Sequence, residues 1–237
     1  MKPRIGVTLD WQEAGTFSKR PHYALRQHYF AAISAAGGLP LAIAYDPSNL
    51  DEYLSAVDAL VIPGGFFASP TDWYVGEGNV SQYEESPRLQ FDLAIIKKAL
   101  EKNIPLLGIC AGMQLLGGVL DCKMTHNVHE YFKTDIDHIN GAPAEQVAHD
   151  IDISPDSLLY KITGKNKMGV NSAHREAVVV PSDKIKVAAK APDGTIEAIE
   201  VVGSDFALGV QWHPEFFIEK GDPNFALFEA LVKQAGK

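Results

Sequence analysis

Cysteine is scarce in this sequence, which has two, Cys110 and Cys122, among 237 residues. A small secreted domain held together by disulfides would use more. No apolar stretch approaches the roughly 20 residues that cross a bilayer, and the N-terminal segment lacks the apolar centre of a signal peptide. We therefore expect a cytoplasmic protein with no membrane partner.

Basic residues are also few, and they are scattered. Lys and Arg number 21 against 30 Asp and Glu, which gives a formal net charge of −9. Because an acidic chain repels phosphate backbones, we expect no nucleic-acid partner. The hydrophobic fraction of 46% is ordinary for a globular protein, and the length favours one domain over residues 1–237 rather than two small ones. The sequence does not decide between a monomer and a homodimer.

Predicted strands and helices alternate in the first half of the chain. Short β-branched runs predict strands at 4–9, 39–44, 58–62 and 104–109. Apolar periodicity and Gly or Ser punctuation predict helices at 23–36, 49–55 (with Ser48 as N-cap), 88–102 and 112–119. This alternation is typical of an α/β protein with a mostly parallel sheet and helices on both faces.

The second half of the chain does not continue the alternation of strands and helices. Residues 123–148 are polar and poorly periodic, and we interpret them as an irregular insertion. Four predicted strands then follow one another, at 177–180, 185–189, 196–201 and 207–211, before a final helix at 224–234. The dipeptide Asp193-Gly194 is typical of a hairpin turn.

The strongest chemical motif is Gly108-Ile109-Cys110-Ala111-Gly112. An apolar strand ends at Cys110 and a helix begins just after it, which is the context of a nucleophile elbow with Cys in place of Ser. A thiol at a helix N-terminus is also favoured as thiolate by the helix dipole. The alternative is a small buried residue in an ordinary turn, since free Cys is commonly buried.

A second motif supplies a base for that thiol. Gln211-Trp212-His213-Pro214-Glu215 follows an apolar strand. Because positions i and i+2 of an extended chain share a side, the Glu215 carboxylate can orient His213 and leave one ring nitrogen for Cys110. The alternative interpretation is a surface loop with an incidental His and Glu, and the presence of Cys110 weakens it.

Adjacent glycines end the third predicted strand, at Pro63-Gly64-Gly65. Glycines permit close approach of backbone to a ligand, so the Gly65 N–H can face an oxyanion together with the Ala111 N–H. A plain turn is the alternative.

The chain resembles the class I glutamine amidotransferase-like superfamily, and within it the peptidase C26, or γ-glutamyl hydrolase-like, branch. The resemblance is carried by the strings VIPGGF, IPLLGICAGMQLLGG, VNSAHREAV, APDGTIEAIEV and FALGVQWHPEF, and its motifs are nearest to those of γ-glutamyl-γ-aminobutyrate hydrolases. It implies a flavodoxin-like three-layer sandwich with extra C-terminal strands. It also implies Cys110 as nucleophile, His213 as base, Glu215 as orienting acid and Gly65 with Ala111 as oxyanion donors.

The same resemblance implies a small γ-glutamyl substrate. Gln114, Asn171, Ser172 and His174 match positions near the substrate in this branch. Two departures leave the amine leaving group open. The branch usually has Arg where this chain has Ala111. It also has Arg-Asp where this chain has Arg88-Leu89. We expect the Arg and the Asp that Ala111 and Leu89 replace to form a structural ion pair of the branch, with both partners absent here.

The expected activity is cysteine-dependent hydrolysis of γ-glutamyl amides through a thioester. One alternative is a glutaminase subunit that delivers ammonia to a separate synthetase. Another is a non-catalytic binding or regulatory protein on the same fold. For a hydrolase, we expect the preferred amine to be set by the loops that are most particular to this chain, at 10–22, 66–86 and 123–148.

Histidines and acids in the insertion raise the question of a metal. His126, His129 and His138 with Asp135 and Asp137 fit no closed zinc motif, and a thiol hydrolase needs no metal. We therefore predict no metal and no cofactor. His149 falls where the branch also tends to have a histidine.

Overall fold

The computed structural model describes residues 1–65, 69–76, 87–139 and 143–237. The strands are β1 (Arg4–Thr8), β2 (Asp10–Gln12), β3 (His22–Ala24), β4 (Leu39–Ile43), β5 (Ala59–Ile62), β6 (Leu106–Ile109), β7 (Lys123–Thr125), β8 (His149–Ile153), β9 (Lys167–Val170), β10 (Ala177–Val180), β11 (Ile185–Lys190), β12 (Ile196–Val201) and β13 (Ala207–Val210). The α-helices are α1 (Gln27–Ala35), α2 (Leu50–Ala56), α3 (Pro87–Glu101), α4 (Ala111–Val119), α5 (Val128–Phe132), α6 (Leu158–Thr163) and α7 (Ala226–Ala235), with 3-10 turns at Pro47–Asn49, Thr71–Trp73 and Pro214–Phe216.

Nine strands form one sheet in the order β4-β1-β5-β6-β13-β12-β11-β8-β9. The strands from β4 to β13 are parallel, and those from β13 to β9 pair antiparallel. The predicted α/β fold with parallel central strands and extra C-terminal strands is thereby confirmed. Parallel strands align their carboxyl ends, so the loops after β5, β6 and β13 meet at one edge of the sheet.

Side-chain alternation along each central strand builds an apolar layer on both faces of the sheet. In β5, Ala59 and Val61 join the cluster that contains Ile33 of α1 and Phe228 of α7. Leu60 and Ile62 join the opposite cluster, which contains residues of α3 and α4. Full burial of each large apolar side chain contributes about 1.5–3 kcal/mol. The central strands are therefore packed between two apolar layers.

Several sequence-based boundaries were wrong for identifiable reasons. Ser48 is not the N-cap of α2; the Asp46 side chain instead accepts the Ser48 N–H at 3.0 Å and caps the preceding 3-10 turn. The helix predicted from residue 23 begins at Gln27, because β3 pairs with β2. The segment 123–148 is less irregular than predicted, since it contains β7 and α5.

Two strands of the nine-stranded sheet went unpredicted, β8 and β9. Their burial alternates along the chain, and both lie at one end of the sheet. Much of the predicted loop 66–86 lies outside the described residues. Among the residues that the structure describes, none of the helices is long and apolar enough to cross a membrane.

Candidate active site

Cys110 occupies the turn between β6 and α4. Its backbone has φ 51° and ψ −105°, a conformation that costs a non-glycine residue energy and that marks a nucleophile elbow. The turn is held in place because the Cys110 N–H donates to the Val210 carbonyl at 2.7 Å. The side chain is buried, at the positive end of the α4 dipole. The predicted strand–turn–helix context is therefore present.

His213 and Glu215 follow β13, the parallel neighbour of β6, and so they lie at the same edge as Cys110. His213 Nδ1 lies 2.8 Å from Glu215 Oε1, and the Glu215 carboxylate is fully buried. Burial lowers the pKa of His213, but the charges of Glu215 and Cys110 outweigh it and raise this pKa to about 10. The imidazole is therefore a proton-holding group between a carboxylate and the thiol.

Asn171 fixes the backbone of His213 from the loop after β9. Its Oδ1 accepts the His213 N–H at 2.8 Å, and its Nδ2 donates to the His213 carbonyl at 2.9 Å. The same Nδ2 also donates to the Ala144 carbonyl at 2.6 Å. With both ends of the amide used on backbone, Asn171 acts as a positioning residue for His213.

The turn Pro63-Gly64-Gly65 lies against this pair. A methyl group on Gly64 would come 2.6 Å from Cε1 of His213 and 3.3 Å from Cβ of Cys110. Gly65 has φ +148°, which an L side chain rarely adopts. Outside the helices and strands, no described hydrogen bond uses the N–H of Gly65 or Ala111. These are the two predicted oxyanion donors.

A buried guanidinium holds that turn in shape. Arg88 donates to the carbonyl of Pro63 at 2.6 Å and to that of Gly64 at 3.3 Å. It also pairs with Asp92 at 3.2 Å and with Asp10 at 3.0 Å. These pairs do not test the expectation that an ion pair of the branch is lost with Ala111 and Leu89, which stays a prediction. Asp92, one helical turn after Arg88, supplies the acid of the pair present here.

Two cavities flank Gly65. One, of about 210 Å³, is bounded by Gly65, Cys110, Gln114, Ala173, His174, Arg175 and Glu176. The other, of about 370 Å³, is bounded by Asp10, Gln12, Ala24, Leu25, Arg26, Tyr29, Gly64 and Gly65. The thiol thus opens on the first cavity, and the second begins across the glycine turn.

The sequence model of one family, Peptidase C26, matches residues 3–215. The chain belongs to the Peptidase C26 family. It is 34% identical to the glutamine amidotransferase-like protein RP404 of Rickettsia prowazekii, over 98% of this chain and 97% of that protein. It is 32% identical to the γ-glutamyl-γ-aminobutyrate hydrolase PuuD of Escherichia coli K12, over 88% and 85%.

Solved structures with low sequence identity share the fold of this C26 chain. The CTPS glutaminase domain of Trypanosoma brucei with bound acivicin has a TM-score of 0.63 and 20% identity, with 99% of this chain and 94% of that chain covered. A glutamine amidotransferase from Thermotoga maritima has a TM-score of 0.61 and 14% identity, with 99% and 96% covered. The large sheet with a parallel centre is therefore shared with glutamine amidotransferases.

The predicted substrate-binding residues separate into two pairs. Gln114 and His174 line the smaller cavity. Asn171 and Ser172 do not, since Asn171 holds His213 and the Ser172 hydroxyl donates to the His138 carbonyl at 2.7 Å. This placement does not support their predicted contact with a substrate.

Sequence reasoning missed several residues of the site because they come from distant segments. Gln211 donates to the Cys110 sulfur at 3.7 Å and accepts from Gln114 at 3.3 Å. Arg26 Nη2 lies 3.6 Å from Glu215 Oε1, which places a half-exposed cation beside the buried acid. Gln211 directly precedes the WHPE string, and that adjacency was the one available signal.

Proposed function

We propose that this chain is a cysteine-dependent hydrolase of γ-glutamyl amide bonds. The observation that carries the proposal is a strained Cys110 elbow beside a buried His213–Glu215 pair, at the mouth of a cavity of about 210 Å³. The 32% identity to PuuD, a γ-glutamyl-γ-aminobutyrate hydrolase, supports this substrate class.

The proposed chemistry has two halves. The Cys110 thiolate attacks the γ-carbonyl carbon, and the resulting oxyanion accepts hydrogen bonds from the N–H groups of Gly65 and Ala111. The His213 imidazolium gives its proton to the amine nitrogen as the C–N bond breaks, leaving a thioester. Neutral His213 then takes a proton from water, the hydroxide oxygen bonds to the thioester carbon, and glutamate leaves as the thiolate returns.

Charged groups around the smaller cavity suit the free end of a glutamyl group. Its α-ammonium and α-carboxylate need partners when they leave water. Arg175 and Glu176 both line this cavity, and burial raises the pKa of Glu176, whose carboxylate accepts from Tyr74 Oη at 2.6 Å. We assign the α-carboxylate to Arg175 and the α-ammonium to Glu176, and Gln114 lines the same cavity. The larger cavity, with Asp10 and Arg26, would take the amine half.

The test is a hydrolysis panel with glutamate release as the readout. It contains γ-glutamyl-aminobutyrate, a γ-glutamyl polyamine, a polyglutamate, a γ-glutamyl peptide and free glutamine, each assayed with wild type and with Cys110→Ser. We expect Cys110-dependent release from at least one γ-glutamyl amide, at a higher kcat/KM than from glutamine. Turnover of glutamine alone, and only with an added synthetase, would establish the glutaminase alternative. No turnover and no alkylation of Cys110 would establish the non-catalytic one.

A further inference from the structure

A second group of buried imidazoles and acids lies behind the wall of the smaller cavity. This histidine–glutamate cluster consists of His138, His149, His174 and Glu197. Its side chains are nearly inaccessible, with exposed fractions of 0%, 6%, 1% and 0%. Its members come from four segments: the loop after α5, the start of β8, the loop between β9 and β10, and β12.

Three ring nitrogens converge on one carboxylate oxygen. Glu197 Oε1 lies 3.4 Å from His138 Nδ1, 3.5 Å from His149 Nε2 and 3.6 Å from His174 Nε2. None of these atoms has a hydrogen-bond partner among the described residues, and neither has Glu197 Oε2. Charged N–H···O hydrogen bonds are about 2.7–2.9 Å long, so the separations are too great for such bonds. Fully buried polar atoms without partners need an explanation.

The opposite nitrogen of each ring is engaged by an acceptor. His138 Nε2 lies 2.9 Å from Asp193 Oδ2, His149 Nδ1 lies 3.2 Å from the Asp150 carbonyl, and His174 Nδ1 lies 3.1 Å from the Glu176 carbonyl. Each acceptor requires an N–H on that side of the ring. A neutral imidazole then directs the lone pair of its other nitrogen towards Glu197. Metal-binding histidines are held by this arrangement, with a carboxylate or a carbonyl behind the ring.

Lone pairs that face a carboxylate repel it unless a cation lies between them. For zinc bonds of about 2.0–2.1 Å, two ligand atoms of a tetrahedral site are separated by about 3.3–3.4 Å. The observed nitrogen–oxygen separations of 3.4–3.6 Å are close to this edge. The ligand atoms of His138, His174 and Glu197 all lie within 4.8 Å of one another. An octahedral ion of the same bond length would need a shorter edge of about 3.0 Å.

We propose that the histidine–glutamate cluster binds a zinc ion through His138 Nδ1, His174 Nε2 and a Glu197 oxygen, the three buried residues whose ligand atoms lie within 4.8 Å of one another. His149 Nε2 lies 3.5 Å from Glu197 Oε1 but outside this group of three, so it contacts the carboxylate without binding the ion. Three protein ligands leave one position of a tetrahedral zinc ion for a water molecule or another group. The ion would tie three segments together. One of them carries His174, Arg175 and Glu176, which line the smaller cavity.

Metal analysis of the full chain, purified without chelator, tests the proposal independently of any enzymatic activity. We expect roughly one zinc per chain. After chelation and reconstitution with Co²⁺, we expect the visible absorption of a four-coordinate site. Chelation should also lower Tm. A wild-type protein that holds no zinc after dialysis against zinc would overturn the proposal and leave a network of protonated histidines as the explanation.

Variants locate the ion. Glu197→Gln and His174→Gln should each lose the zinc and the effect of chelator on Tm, and His174→Gln is the second choice if Glu197→Gln does not fold. Asp193→Asn should bind zinc about 10- to 100-fold more weakly, because it loosens the ring of His138. The matched control is His22→Gln, on β3 outside the cluster, which should keep the ion. Equal zinc in wild type and in both Glu197→Gln and His174→Gln would place the metal elsewhere and refute the site.

Discussion

Two groups of histidine and glutamate in this protein have similar composition but differ in the distance between ring nitrogen and carboxylate oxygen. In the candidate active site, His213 Nδ1 and Glu215 Oε1 are 2.8 Å apart, the length of an ordinary hydrogen bond. In the histidine–glutamate cluster, three nitrogens stand at 3.4–3.6 Å from Glu197 Oε1 without a hydrogen bond among the described residues. The difference indicates what each site holds: a proton in the first, and in our proposal a metal ion in the second.

The neighbours of the imidazole nitrogens also differ between the two sites. His213 interacts with Cys110, whose side chain lines the smaller cavity, so a proton on the imidazole lies near the space that a substrate would occupy. Each ring of the cluster has its outer nitrogen tied to an acceptor, and its inner nitrogen faces Glu197. In our proposal, the His213 proton moves during catalysis, whereas the ion at Glu197 stays bound. The two sites therefore hold their imidazoles differently.

The largest expected effect is on activity, through the nucleophile. Cys110→Ser should lower kcat by at least about 10³-fold, because a serine hydroxyl in this elbow is a far weaker nucleophile than the thiolate. The zinc content should not change. Glutamate release and metal analysis on the same preparation measure both. Cys122→Ser is the control, since Cys122 is buried beside Ser182 and away from the elbow; comparable loss in that variant would contradict the assignment.

Glu215→Gln should lower kcat by about 10²- to 10⁴-fold with the fold intact. The neutral amide keeps a hydrogen bond to His213 but removes the charge that favours the imidazolium. The basic limb of the kcat/KM pH profile should therefore move to lower pH. Glu197→Gln serves as the contrasting variant, since it should lose zinc while Glu215→Gln keeps it. An unshifted profile in fully active Glu215→Gln would remove this acid from the site.

Asn171→Ala should lower kcat about 10- to 100-fold and leave KM within about twofold, because it frees the backbone of His213 without touching substrate. Steady-state kinetics on the best substrate of the panel separates the two constants. Asn49→Ala removes a surface amide and should change neither. If Asn171→Ala instead raised KM alone, the residue would belong to substrate binding, as its sequence motif predicts.

The smallest effect concerns stability against pH. The folded protein holds the His213 proton more tightly than the unfolded chain, since the pKa is raised from 6.5 to about 10. The resulting stabilisation is complete below about pH 6.5 and is lost as the pH rises towards 10. Urea unfolding from pH 6 to 10 should show a shallower loss of unfolding free energy in His213→Gln than in wild type. Parallel curves would show that this proton does not stabilise the fold.

Local sequence predicted most of the parallel half of the molecule. Strands β1, β5 and β6 are short apolar runs, and their helices carry a clear period, so both signals lie within a few residues. The antiparallel end was harder. Strands β8 and β9 are short and half-exposed, and their identity depends on pairing with each other and with β11.

The amino-acid sequence by itself determined the elbow at Cys110, the acid two residues after His213 and the glycine turn at Gly65, because each depends on neighbours along the chain. Only the tertiary structure decided which groups meet across long separations. Arg88 reaches Asp10 and the carbonyls of the glycine turn, and Asn171 reaches His213. The histidine–glutamate cluster is the clearest case. Its residues are spread from residue 138 to residue 197 with no fixed spacing, and the folding of three segments around β12 brings three ring nitrogens close to one Glu197 oxygen.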